Sequence, residues 1–185
     1  MDAAASIPPF PVSRYHPDPI RTGSITASPN QCCCCRRSRG YVYTLAPYTE
    51  EEVEERSLCP WCIADGSAHR KFGAEFIDAE GIPDDLPERV VEELVERTPG
   101  YAAWQTEEWR ACCQDAAAFL GPFGYAEIVR ENLLAPLLEY ITGELQYDAR
   151  PASRLVESLN RDNGPTAYVF ECLHCHRRLF HVDEP

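Results

Sequence analysis

Three pairs of cysteines stand two residues apart: Cys32/Cys35, Cys59/Cys62 and Cys172/Cys175. That gap lets both thiolates of a tight knuckle face one tetrahedral ion at roughly 2.3 Å, while backbone N–H groups of the turn donate to the sulfurs. The chemistry is that of closed structural zinc coordination, and two pairs complete one site. Between Cys35 and Cys59 lie 23 residues, room for a hairpin and a short helix. A knuckle, a hairpin and then a second pair at a helix N-terminus is the treble-clef order. The positive end of that helix stabilises thiolate and favours metal over disulfide. Cys172/Cys175 falls in a strand–turn–strand segment, a ribbon-like knuckle whose partner is open. Cys33, Cys34, His174, His176 and His181 are all available, so this pair either completes a second site or displaces one of the first two pairs.

Other reactive residues read more plainly. Cys33 and Cys34 read as bystanders to Cys32 and Cys35, although pattern alone does not fix the register within a run of four cysteines. Cys112 and Cys113 fall in an apolar stretch that reads as helix, where cysteine packs as a small hydrophobe. Cys59-Pro60-Trp61-Cys62 at a helix start also fits a dithiol redox centre. Thioredoxin-like folds place that motif after a buried strand, however, and here the acidic run Glu50 to Arg56 precedes it. There is no Gly-rich phosphate loop, no H-E-x-x-H and no G-x-S-x-G. His16 and His69 stand alone and read as hydrogen-bonded structural residues. Tyr101, Trp104 and Trp109 read as core residues on a helix, with a partner-binding aromatic face as the alternative.

The elements that must position these residues follow from pattern. Six prolines between Ile7 and Pro29 imply an extended segment over 1–29. A zinc-knuckle region over 30–75 contains a strand at Tyr41-Val42-Tyr43-Thr44, a short capped helix from Thr49 to about Ser57, and a helix over Ile63–Phe72 despite Gly66. A helical region over 84–160 comprises Pro87–Arg97, Ala103–Leu120, Ala126–Ile141 with a break at Pro136, and Ala152–Leu159. A C-terminal knuckle hairpin occupies 165–183, with strands Thr166–Glu171 and Arg178–Val182. The expected fold is α+β, one small domain over 1–185, with knuckles from both ends coming together around a helical middle.

The chain has 185 residues, 44% hydrophobic and 25% charged, and a net charge of −13 at pH 7. This is globular composition. No apolar run approaches the roughly 20 residues of a spanning helix, and the charge argues against affinity for nucleic acid or anionic lipid. Local clusters at Arg36, Arg37 and Arg39 and at Arg177 and Arg178 leave a nucleic-acid-binding zinc-ribbon regulator as a minor alternative. Seventeen acidic against five basic residues between Glu50 and Glu108 carry nearly all of the imbalance. The N-terminus shows no basic and apolar signal-peptide pattern, so a cytoplasmic location is expected, where cysteines are reduced or metal-bound.

Four blocks together resemble the CbrC family: Tyr15-His16-Pro17-Asp18-Pro19 with Thr22-Gly23; Leu58 to Ala68; Glu96 to Tyr101 with Trp104-Gln105 and Trp109; and Cys172-Leu173-His174-Cys175. The resemblance spans roughly Pro11 to Asp183. It departs from the family pattern in having cysteine at all four positions Cys32 to Cys35 and His176 where glycine is expected. The family comprises small cytosolic bacterial proteins, one of them associated with tolerance to a DNase-type colicin. The resemblance therefore implies a phenotype and not a reaction. The expected function is a non-enzymatic zinc-binding protein of toxin tolerance or immunity, working through protein–protein contact. Its expected partner is a basic toxin domain facing the acidic stretch 50–108, with Zn(2+) as the cofactor.

Overall fold

Tight turns set by glycine, proline and residues in the left-handed region divide this chain more finely than periodicity suggests. The structure, a computed structural model, describes residues 8–185, so the part of the expected extended segment at 1–7 lies outside the described residues. It is α+β, with small antiparallel sheets and short helices. Two compact units are formed: one takes the chain as far as Ala79 and then Val91–Tyr101, the other Glu80–Val90 and Ala102–Pro185.

In the first unit β1 (Ile25–Ala27) pairs antiparallel with β2 (Tyr41–Tyr43), Thr26 opposite Val42. Helix α1 (Pro60–Ala64) begins immediately after Cys59, with proline in the first turn, where a missing N–H costs nothing. The single helix expected over Ile63–Phe72 is two. Gly66 adopts φ +70° and starts α2 (Ser67–Phe72) on a new axis, because glycine takes the left-handed region without penalty. The helix expected after Thr49 is absent. Thr49 Oγ1 donates instead to the Phe72 carbonyl at 2.6 Å and accepts from the Glu51 N–H, a side-chain turn that competes with helix initiation. Ile25, Tyr43, Leu58, Trp61, Ile63, Ala68, Ala74 and Phe76 form the core, and Cys32, Cys59 and Cys62 are part of it. From Val91 onward, α3 (Glu88–Arg97) belongs to this unit, with Leu94 and Val95 buried.

The second unit is built on the antiparallel order β5 (Ala118–Phe123), β6 (Thr166–Glu171), β7 (Arg178–Asp183). Central β6 is buried over five successive residues, as a strand covered on both faces must be. The helix expected over Ala103–Leu120 is not there. Residues 103–110 run without regular structure into a minimal hairpin, β3 (Ala111–Cys112) and β4 (Asp115–Ala116), and then β5. Tertiary contacts override helix propensity here. The Trp109 N–H donates to the Gly81 carbonyl at 2.8 Å and its indole to the Ala117 carbonyl at 2.9 Å. A Cβ on Gly81 would meet the Glu107 carbonyl oxygen at 2.0 Å, so only glycine allows this approach. Tyr101 and Trp109 are buried and Trp104 is partly exposed, and none of the three sits on a helix.

The expected helix Ala126–Ile141 is also two, α4 (Tyr125–Arg130) and α5 (Leu134–Gly143), parted at Asn132 with φ +57° and not at Pro136. Pro136 falls in the first turn of α5, where its missing N–H is no loss. With α6 (Ala149–Ser158), these helices bury Ile128, Leu137, Ile141, Leu155 and Val156 against Val169 and Phe180.

His16, in the first unit, is fully buried. Its Nδ1 lies 2.7 Å from the Pro99 carbonyl, which can only accept, so Nδ1 carries the proton and Nε2 accepts from the Thr22 hydroxyl at 2.6 Å. Burial lowers its pKa from 6.5 to about 4. An unfolded chain takes up this proton near pH 6.5 and the folded one only near pH 4. Stability present at pH 7 therefore falls as the pH is lowered through that window, by roughly 3 kcal/mol in total. Denaturant titrations between pH 7 and 4 are expected to show a shallower pH dependence for His16→Gln than for the parent; equal slopes would contradict this.

Candidate metal centres

Cys32 opens a knuckle in which its N–H donates to the Arg37 carbonyl at 3.0 Å and its carbonyl accepts from the Arg36 N–H at 2.8 Å. Arg36 is at φ +58°. The same turn recurs at Cys172, with the Arg177 carbonyl at 2.9 Å, the His176 N–H at 3.1 Å and His176 at φ +60°. The departure at His176 thus leaves the knuckle intact, with the fifth position taking the left-handed conformation despite its side chain.

Each knuckle is completed by a second pair. Cys59, capping α1, and Cys62, in its first turn, join Cys32 and Cys35, and the four sulfurs lie within 4.8 Å of one another. The Sγ–Sγ distances are 3.8 Å for Cys32/Cys62, 3.8 Å for Cys35/Cys59 and 3.6 Å for Cys59/Cys62. A tetrahedron of sulfurs each 2.3 Å from an ion has edges of about 3.8 Å, whereas a disulfide would hold two of them at about 2.05 Å.

Cys172 and Cys175 are completed by Cys112 and Cys113, again within 4.8 Å, with Cys112 at 3.6 Å from both Cys113 and Cys175. This corrects the reading of Cys112 and Cys113 as buried packing residues on a helix: Cys112 is half-buried and Cys113 exposed. Cys113 (φ +55°) and Gln114 (φ +58°) are the central residues of the β3–β4 turn. Two positive φ values define a type I′ hairpin, a turn normally given to Asn-Gly. Adjacent cysteines can then aim both sulfurs at one point. Asp115 Oδ2 sits 2.9 Å from His174 Nε2 and ties the hairpin to the knuckle.

The knuckles from the two chain ends do not share one cysteine group: each group is completed within its own unit. The remaining candidate ligands are engaged elsewhere. Cys33 Sγ is 3.5 Å from the Ser57 hydroxyl and Cys34 Sγ 3.7 Å from that of Ser67. His176 Nδ1 meets Glu171 at 3.1 Å, and His181 stacks on Tyr168 with Nδ1 3.3 Å from Glu108. His69 pairs with Glu96 at 3.3 Å.

Proton affinities within each group diverge. Thiols of Cys59 and Cys62 donating to Cys32 hold it far below the ordinary cysteine range. Donation to Cys32 pushes Cys59 up to about 12 and drives Cys62 upward as well. In the second group burial works against ionisation of Cys172, but N–H groups of Cys175 and His174 and the neighbouring thiols outweigh it and bring its pKa down to about 6. Cys112 is raised, first by burial, and Cys113 is pushed up to about 12 by its hydrogen bond to Cys112. Cys32 and Cys172 are thus disposed to be thiolates, while Cys59, Cys62, Cys112 and Cys113 hold their protons more tightly than a free thiol. Arg39 Nη1 lies 4.0 Å from Cys59 Sγ and Arg177 Nη2 3.7 Å from Cys112 Sγ, offsetting the charge that four thiolates would leave on a divalent ion.

Such groups could each hold a thiophilic metal ion. Binding at neutral pH must expel at least the protons of Cys59 and Cys62 in one group and of Cys112 and Cys113 in the other. Affinity therefore falls as pH falls. Zinc titration calorimetry in buffers of differing ionisation enthalpy is expected to show at least two protons released per ion at pH 7; no buffer dependence would contradict this arrangement.

Comparison with known proteins bears on the whole chain. The family model described as an uncharacterised protein family, UPF0167, matches residues 10–184. A UPF0167 protein of Pseudomonas aeruginosa is 44% identical over 177 residues, covering 95% of this chain and 98% of the relative. UPF0167 proteins of Mycobacterium bovis and Mycobacterium tuberculosis are each 46% identical over 178 residues, covering 94% of this chain and 93% of theirs. No solved structure matches the chain. Among the described residues, no helix is long and apolar enough to cross a membrane.

Proposed function

We propose a function from the chain's own chemistry, because the chain belongs to the uncharacterised protein family UPF0167: it is a non-enzymatic protein that carries two zinc ions, one in each tetracysteine group, and acts by binding another protein. The observation that carries the metal reading is the sulfur spacing. Two independent sets of four thiols each gather within 4.8 Å, with Sγ–Sγ separations of 3.6 and 3.8 Å in the first and 3.6 Å in the second, close to the edges of a zinc tetrathiolate. Zinc suits four thiolates and tetrahedral geometry and brings no redox chemistry of its own. The order of knuckle, β2 and helix N-terminus in the first group supports a treble-clef description of that region.

The interaction reading is supported by charge. Glu50, Glu51, Glu52, Glu54 and Glu55 are all exposed on one loop of the first unit. A loop of this kind accelerates encounter with a basic surface and repels nucleic acid. The resemblance to the CbrC family adds tolerance to a nuclease-type toxin, which makes a basic toxin domain in the cytoplasm the natural partner.

Metal analysis of protein purified without chelator is expected to give two zinc ions per chain, falling to one when Cys113 and Cys175 are both serine; metal-free, folded protein would reject the assignment. For the interaction, replacing the five loop glutamates by glutamine is expected to weaken binding to a basic nuclease domain by about tenfold at low salt, with the difference shrinking as salt rises. Equal affinity of parent and variant would remove the acidic loop as the binding surface.

A further inference from the structure

We propose that the group Cys112, Cys113, Cys172 and Cys175 is an exchangeable zinc site, which passes its ion to incoming thiol or nitrogen ligands, whereas the group of Cys32, Cys35, Cys59 and Cys62 holds a resident ion. The inference rests on the preceding reading that both groups bind zinc. Four features of the second group separate it from the first.

Access differs first. Three of the four sulfurs in the first group belong to buried residues, and only Cys35 is half-buried; in the second group Cys113 and Cys175 are exposed, Cys112 is half-buried and only Cys172 is buried. Tetrahedral zinc exchanges ligands by briefly accepting a fifth, so an open edge of the tetrahedron decides whether a competitor can reach the ion. The Cys113–Cys175 side is such an edge.

Packing differs next. Cys32, Cys59 and Cys62 are members of the hydrophobic core with Ile25, Leu58, Trp61 and Phe76. Taking an ion from among them would strand polar thiols at the centre of that core. Among the described residues, the cluster under α4, α5 and α6 contains no cysteine, and of the second group only Cys172 is a buried core residue, so fewer of its ligands are tied to hydrophobic packing.

Backbone support differs as well. Cys59 is anchored at the start of a helix and Cys62 within it. Cys112 and Cys113 come from a hairpin with only two residue pairs, whose turn places two side-chain-bearing residues at positive φ. That conformation is costly without glycine, and coordination by Cys112 and Cys113 holds it; release of the ion lets it relax.

The charge arrangement suits a site from which ligands leave in turn. The Arg177 guanidinium stands against Cys112 Sγ, not against Cys113 or Cys175, so it steadies a ligand that remains while the exposed ones depart. Exchange is balanced without an oxidant. Each incoming thiol gives up its proton on binding the ion, each departing cysteine takes one up, and no sulfur changes oxidation state.

The test uses the full zinc-loaded chain mixed with excess 4-(2-pyridylazo)resorcinol, following chelator absorbance and, in parallel, far-ultraviolet circular dichroism. Two equivalents are expected, one leaving at least about tenfold faster than the other with the dichroism unchanged. The double variant Cys113→Ser, Cys175→Ser is expected to lose the fast equivalent alone and to keep the slow one, which itself reports that the first unit is folded. Two equivalents leaving at one rate, a fast phase that survives the double variant, or unfolding as the fast equivalent departs would each overturn the inference while leaving zinc binding intact. A parent protein with no zinc to release would overturn the zinc reading and this inference together.

Discussion

Four thiolates crowded within 4.8 Å repel one another, and that repulsion governs how this protein is built. Two unit charges at such distances cost about 4 kcal/mol at an effective dielectric near 20, and each group contains six pairs. Protons or a cation must relieve the charge. Without a cation the negative charge gathers on Cys32 and Cys172, which hydrogen-bond donors of their own groups stabilise as thiolates. A divalent ion held by four thiolates would turn a costly cluster into a cross-link between distant parts of the chain.

What that cross-link joins differs between the units. In the first, it would tie the Cys32 knuckle to the start of α1 inside a core of Leu58, Trp61 and Phe76, so coordination and hydrophobic burial would act on the same residues. Structural zinc contributes on the order of 10 kcal/mol to folding of small domains. In the second, it would tie a knuckle between β6 and β7 to a hairpin of two residue pairs, while the helices α4, α5 and α6 pack against the sheet in the core. The same turn, C-x-x-C followed by a left-handed residue and arginine, thus serves two settings.

Much of this was legible in the residues. The three C-x-x-C pairs, the strands expected at Tyr41–Thr44, Thr166–Glu171 and Arg178–Val182, each within a residue of the observed bounds, and the helix ending at Arg97 follow from spacing and period. The partner of Cys172/Cys175 did not, because Cys113-Gln114 occupies a turn whose usual signal is Asn-Gly, and the apolar run around it mimics a helix. Counting offered a clue: three pairs leave one site half complete, and Cys112-Cys113 was the one pair not already beside another. The breaks at Gly66 and Asn132 were hidden for a related reason. Each is one left-handed residue inside a continuous apolar pattern, and periodicity does not register a change of axis that preserves the buried face. The Ala103–Leu120 segment failed as a helix because Gly81 admits the Glu107 backbone at a distance no side chain allows, a constraint some twenty-five residues away in sequence.

X-ray absorption at the zinc K-edge on protein purified without chelator tests the central claim most directly, since it reads the atoms around the ion. Two tetrathiolate sites predict a single shell of four sulfurs per zinc at about 2.3 Å, with no nitrogen or oxygen in it. A shell containing imidazole or carboxylate, or folded protein without a metal edge, would contradict the account.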